Sequence, residues 1–99
     1  MILSQENIKQ VVQEYFKDKP VNEVYLFGSY ARGEANEDSD VDLIFSFIKD
    51  TRISYFGLAK YLVDLEERFL KKVDLVEDKF VFPEIKNEIN KEKVLLLAL

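Results

Sequence analysis

Gly28-Ser29 stands ten residues ahead of Asp40-Val41-Asp42, and few local structures accommodate that combination. Gly28 follows Val24-Tyr25-Leu26-Phe27, a β-branched and aromatic run that reads as a short strand buried on both faces. A glycine at the end of such a strand lets the backbone come close to a ligand, and the N–H groups that open the next helix attract anions. A short helix is expected over Ser29–Arg32, then a polar turn over 36–39. From Asp40 to Phe47 the pattern alternates: Val41, Leu43, Phe45 and Phe47 fall on one face, Asp40, Asp42, Ile44 and Ser46 on the other. The unit is therefore strand, tight turn, short helix, strand, with an anion-holding turn near one end and a carboxylate pair near the other. Together they suit a nucleoside triphosphate.

Two carboxylates at i and i+2 on a strand point the same way, with Cα atoms roughly 7 Å apart. They can share one or two hard cations, and magnesium suits a site of a few carboxylates completed by phosphate oxygens and water. A third carboxylate on a neighbouring strand would complete a two-metal centre. Asp74 is the candidate, because Val73-Asp74-Leu75-Val76 reads as a third strand whose apolar residues bury the face opposite Asp74. Ser29 offers a hydroxyl to a terminal phosphate. Arg32 either neutralises phosphate charge, meets a partner, or pairs with Glu34 or Glu37. Ser39 either caps the turn and orients Asp40 or binds metal-linked water.

Similar motifs fail on position. Gly28 to Gly33 has the glycine spacing of a P-loop, but Glu34 and Ala35 occupy the places of its Lys and Ser/Thr. Asp38, Asp40 and Asp42 resemble the start of a calcium-binding loop, but Leu43 and Lys49 stand where that loop needs Gly and Glu. No three-glycine dinucleotide fingerprint is present.

Around this unit the remaining chain reads as helices and one further apolar segment. Ser4 is placed to cap a helix whose Ile8, Val11, Val12, Tyr15 and Phe16 recur at helical spacing, with Glu6 in its first turn. Pro20 closes it within a loop over 17–22. The longest helix is expected from Ile53 to Leu70, with Tyr55, Leu58, Leu62, Leu65 and Phe69 as its buried stripe. Phe56, Val63 and Leu70 widen that stripe toward a partner. Pro83 suits the first position of a last helix reaching about Lys91, with Ile85 and Ile89 inward. Val94–Leu99 is an edge strand or an interaction segment. The fold class expected is α+β: one domain over 1–99, a small mixed sheet backed by helices.

With 99 residues, no cysteine and no histidine, the chain lacks thiolate ligands, disulfides, the usual zinc ligand and the usual general base. Chemistry falls to carboxylates, hydroxyls, Lys, Arg and a bound metal. The net charge of −5 argues against a nucleic-acid platform. Five acids and no base lie between Glu34 and Asp42, a cluster that repels itself unless solvated or bridged by cations. No apolar stretch reaches transmembrane length, so no membrane role and a cytoplasmic location are expected.

The string LFGSYARGEANEDSDVDLIF, followed by VDLV and IKNEINKEKVLL, resembles the minimal nucleotidyltransferases, the small prokaryotic branch of the polymerase β-type superfamily. That resemblance implies two Mg2+ ions held by Asp40, Asp42 and Asp74, with ATP as substrate. It also implies Asp74 as acceptor of the attacking hydroxyl's proton, and Gly28 and Ser29 holding the departing phosphates. It further implies an antitoxin that transfers AMP to a tyrosine of a HEPN ribonuclease toxin, its partner. Two alternatives stay open: a non-catalytic antitoxin that neutralises by contact, and transfer to a small molecule, for which nothing after Val76 is long enough to build a pocket.

Overall fold

The computed structural model describes residues 1–99. Helix α1, Gln5–Phe16, starts at Ser4, whose hydroxyl accepts the Asn7 N–H at 3.0 Å. It buries Ile8, Val12, Tyr15 and Phe16. Strand β1 runs Val21–Phe27, three residues longer at its start than the apolar run suggested. It begins directly after Pro20, because Val21 already pairs with Phe47 across a register shift before Glu23. Its burial alternates: Val21, Val24 and Leu26 are enclosed, whereas Tyr25 and Phe27 are half-buried. The strand is therefore covered fully on one face only.

Helix α2, Ser29–Arg32, and strand β2, Val41–Phe47, follow. Helix α3, Tyr55–Phe69, is capped by Ser54, whose hydroxyl accepts the Gly57 N–H at 3.2 Å. Strand β3 is Val73–Glu77, followed by a 3-10 turn at Asp78–Phe80. Helix α4, Pro83–Glu92, opens on its proline, and strand β4, Val94–Ala98, ends the order. The four strands form one mixed sheet in the order β3-β2-β1-β4. β1 runs antiparallel to both β2 and β4, while β2 and β3 are parallel, with α3 supplying the crossover that a parallel pair needs.

One sheet face carries the main core. Val24, Leu26, Val41, Leu43, Phe45, Val73 and Leu96 from the strands pack with Ile8, Val12, Phe16, Tyr61, Leu65 and Phe69 from α1 and α3. Tyr15, Phe16 and Tyr61 meet edge to face with ring centroids 5.1 to 5.9 Å apart, the arrangement that ring quadrupoles favour. Leu65 and Phe69 of the expected α3 stripe are buried and Leu58 and Leu62 pack against the core, but Tyr61 takes the inward place expected of Tyr55. Tyr55 is 91% exposed and Phe56 88%. The Tyr15 hydroxyl donates to Asp64 at 2.7 Å and ties α1 to α3.

The opposite face is thinner. Ile44 and Ile89 are buried there outside the main cluster. Lys86 and Asn90 of α4, and Lys93 directly after it, line a cavity with Tyr25, Ile44 and Ser46, so α4 lies over that face. Ile85, expected inward, is exposed. Val94–Ala98 resolves as an edge strand whose Leu96 is buried. No helix is long and apolar enough to cross a membrane.

Candidate active site

The thin face also holds the carboxylates. In the parallel pairing of β2 with β3, Asp42 stands directly opposite Asp74, flanked by Val41–Val73 and Leu43–Leu75. Strand alternation turns the apolar pairs into the core and both aspartates away from it. On its other side Asp42 is opposite Phe27, the last residue of β1. The end of β1, the start of β2 and the start of β3 therefore meet at one place.

Gly28 occupies that place. Its φ of 75° and ψ of −155° lie in a region that only glycine enters readily. A Cβ there would collide with the Asp42 carboxylate, whose Cγ would stand 3.1 Å away. The glycine thus meets two requirements: a sharp exit from β1 and close contact with Asp42. α2 then begins at Ser29, with its amides at Ala31 and Arg32 directed to the Gly28 carbonyl at 3.1 Å. The Ser29 side chain is half-buried. Gly33, at φ 73° and ψ 22°, ends the helix in the left-handed conformation. Tyr30, buried, packs into the main core.

Asp42 has a proton affinity far from that of a free aspartate. Desolvation by burial, hydrogen bonding with Asp74, and the charges of Asp74 and then Asp40 push its pKa up to about 7, while Arg32 pulls it down. Two carboxyls forced together require either a shared proton or a cation between them. Hard oxygen donors suit magnesium. Asp40, just ahead of β2, is half-buried and lines a groove of about 430 Å3 with Ser39, Lys71 and Lys72. No three acidic side chains converge closely enough to ligate one ion as they stand. Asp42 and Asp74 form the close pair, and Asp40 adds charge from one side.

Ser39 caps the turn. Its hydroxyl accepts the Asn36 N–H at 2.8 Å, and its own N–H donates to the Asn36 carbonyl at 3.1 Å. Arg32 is held by Glu34 at 3.0 Å and by Glu92 at 3.1 Å. Glu34 was among the expected partners. Glu92, at the far end of α4 and 60 residues away, was not, and no local sequence signal marks it.

A family model for the nucleotidyltransferase domain matches residues 6–96, and the chain belongs to that family. Within it, the chain is a minimal nucleotidyltransferase, similar to a solved structure of that description at 27% identity and a TM-score of 0.75, covering 93% of this chain and 95% of that one. A protein of Methanocaldococcus jannaschii, provisionally named a protein adenylyltransferase, is 34% identical over 92 residues, covering 88% of this chain and 92% of its own. The protein adenylyltransferase MntA of Thermococcus cleftensis is 36% identical over 80 residues, 76% of this chain and 78% of its own. Among solved structures, a toxin–antitoxin with AMP-PNP superposes with a TM-score of 0.73 at 18% identity, covering 94% of this chain and 73% of that one. A complex of tri-AMPylated Shewanella oneidensis HEPN toxin with its MNT antitoxin gives 0.72 at 17%, covering 98% and 74%. At those identities the structures speak for the fold, which is the α+β nucleotidyltransferase arrangement with its mixed four-stranded sheet.

Proposed function

We propose that this nucleotidyltransferase is an antitoxin that transfers AMP from ATP, with magnesium, to a tyrosine of a cognate HEPN ribonuclease toxin and so silences it. The observation that carries the reading is the junction of the Gly28 turn with the Asp42–Asp74 pair. The Gly28 backbone lies against the Asp42 carboxylate, and Asp42 in turn stands opposite Asp74. The acceptor class is supported by kin: MntA of Thermococcus cleftensis is named a protein adenylyltransferase, and the Shewanella MNT antitoxin accompanies an AMPylated HEPN toxin.

In this reading Asp40, Asp42 and Asp74 would hold two magnesium ions. Bound magnesium supplies charge neutralisation along the phosphates and polarises the α-phosphorus. The backbone of the Gly28–Ser29 turn would hold the β- and γ-phosphates. The Ser29 hydroxyl donates to a terminal phosphate oxygen, and Arg32 offsets part of the phosphate charge. Ser39 fixes the turn that delivers Asp40. Asp74, exposed at the strand edge, accepts the proton of the attacking tyrosine hydroxyl. As that oxygen bonds to the α-phosphorus, the bond to the bridging oxygen breaks and pyrophosphate departs. A substrate and partner of this kind place the chain in the cytoplasm.

The test is incubation with labelled ATP, Mg2+ and a candidate HEPN toxin from the same genome. Label on a toxin tyrosine, read by mass spectrometry and lost in Asp40→Ala plus Asp42→Ala, is the expected result. Inhibition that survives the double substitution, with no label transferred by wild type, would replace catalysis by simple contact.

A further inference from the structure

Arg32 ends α2, a single turn after Ser29, and the antiparallel register that pairs Leu26 with Val94 brings the end of α4, with Glu92, toward the end of β1 at Gly28. A guanidinium free to swing would contribute little there, because ordering a long side chain costs entropy each time a ligand binds. This one is not free. Glu34 takes its Nε at 3.0 Å from the α2 side, and Glu92 takes its Nη1 at 3.1 Å from the end of α4. Two of its five N–H donors are committed and the rest remain open to an anion. Glu34 is a neighbour in the chain, two residues away, so its hold moves with α2. Glu92 is the only tether that fixes the guanidinium relative to the sheet, because α4 rests on the same face as Asp42, Ile44 and Ser46.

The pair is poorly placed to support the fold. Side-chain exposure is 41% for Arg32 and 31% for Glu92, and ion pairs that exposed contribute little to stability. α4 itself is seated through Ile89. An interaction between elements 60 residues apart that adds little to folding, yet fixes a cation beside the phosphate turn, is better accounted for by the site.

We propose that Glu92 is a positioning residue for nucleotide binding: it holds the Arg32 guanidinium over the Gly28–Ser29 turn so that the open donors meet the triphosphate. This rests on the reading of that turn as the phosphate cradle. Glu92 touches no substrate and moves no proton. Removing it loosens Arg32, so ATP binds less tightly while the bound complex turns over as before.

The experiment is calorimetric titration of ATP with Mg2+ into the full chain, beside steady-state transfer. Glu92→Ala is expected to weaken ATP binding about three- to fivefold and raise KM to match, with kcat within about twofold. Glu92→Gln, whose amide oxygen still accepts from Arg32, stays within about twofold of wild type. In an Arg32→Ala background, Glu92→Ala adds no further loss, since there is nothing left to position. Unchanged or tighter ATP binding in Glu92→Ala overturns the inference, as does an equal loss in the Arg32→Ala background. Wild type that binds no ATP would overturn the phosphate-cradle reading itself, a distinct failure.

Discussion

Gly28 is held by two independent constraints, and a substitution there should register both. Alanine would have to adopt φ 75° and ψ −155° and would press its methyl into Asp42. Gly33 has φ 73° but open space around a would-be Cβ. Gly28→Ala is therefore expected to cost about 2–3 kcal/mol, against about 1 kcal/mol for Gly33→Ala. Urea denaturation of the two variants checks the order; equal losses would remove the role of Asp42 contact. Asp42 sets the second residue-scale expectation. Its pKa, raised from 3.8 to about 7, means the folded chain keeps a proton that the unfolded chain releases. That contribution to stability is complete below the unfolded pKa and is lost as pH climbs through about 7. Asp42→Asn should flatten the fall between pH 4 and 7. At pH 7 it should be more stable than wild type by on the order of 1 kcal/mol, discounted for the water that reaches the site. Melting temperatures across that range provide the measurement, and AMP transfer by the same variant should be abolished. A fall of the same steepness in the variant would assign it to other groups.

At the scale of elements, local chemistry was legible where one residue decides the outcome. Ser4 caps α1, Pro83 opens α4, Gly28 ends β1, and the alternation of β2 put Asp42 on the non-core face. Rotations and edges were less legible. Tyr55 and Tyr61 are equally apolar by composition, but only Tyr61 meets Tyr15 and Phe16; which of them turns inward depends on where α1 sits. The start of β1 was hidden because Asn22 and Glu23 look like loop residues, and pairing with β2 and β4 recruits them into the sheet. The aromatic contacts between α1 and α3 give a further expectation. Phe16 is 1% exposed, and its removal leaves a cavity that two helices and a sheet cannot all close. Phe16→Ala should cost about 3–5 kcal/mol. Phe56→Ala, at an 88% exposed position of α3, should stay within about 0.5 kcal/mol. Parallel denaturation curves test the contrast, and comparable losses would mean that α3 is rotated differently from the arrangement described.

For the molecule as a whole, the sheet acts as a partition. Its core face carries the packing of α1 and α3, and its other face carries Asp42, Asp74 and α4. Sequence named Asp40 and Asp42 from their spacing and Asp74 from its strand, but not which two of the three stand directly opposite each other. The meeting of Asp42 with Asp74 required the parallel register across α3, and the Arg32–Glu92 bridge required α4 to return over the sheet. A partition of this kind predicts independence between fold and chemistry. Leu65, fully buried on the core face, and Asp42 share no partner and belong to opposite sides of β2. Leu65→Ala should cost about 2–5 kcal/mol and leave transfer by the remaining folded protein close to wild type. Combined with Asp42→Asn, the two stability changes should add to within about 0.5 kcal/mol. A double-mutant cycle in urea with AMP transfer as the second readout measures both. A coupling of 1 kcal/mol or more would mean that strain passes through the sheet, and that the carboxylate pair is part of the packing as well as of the site.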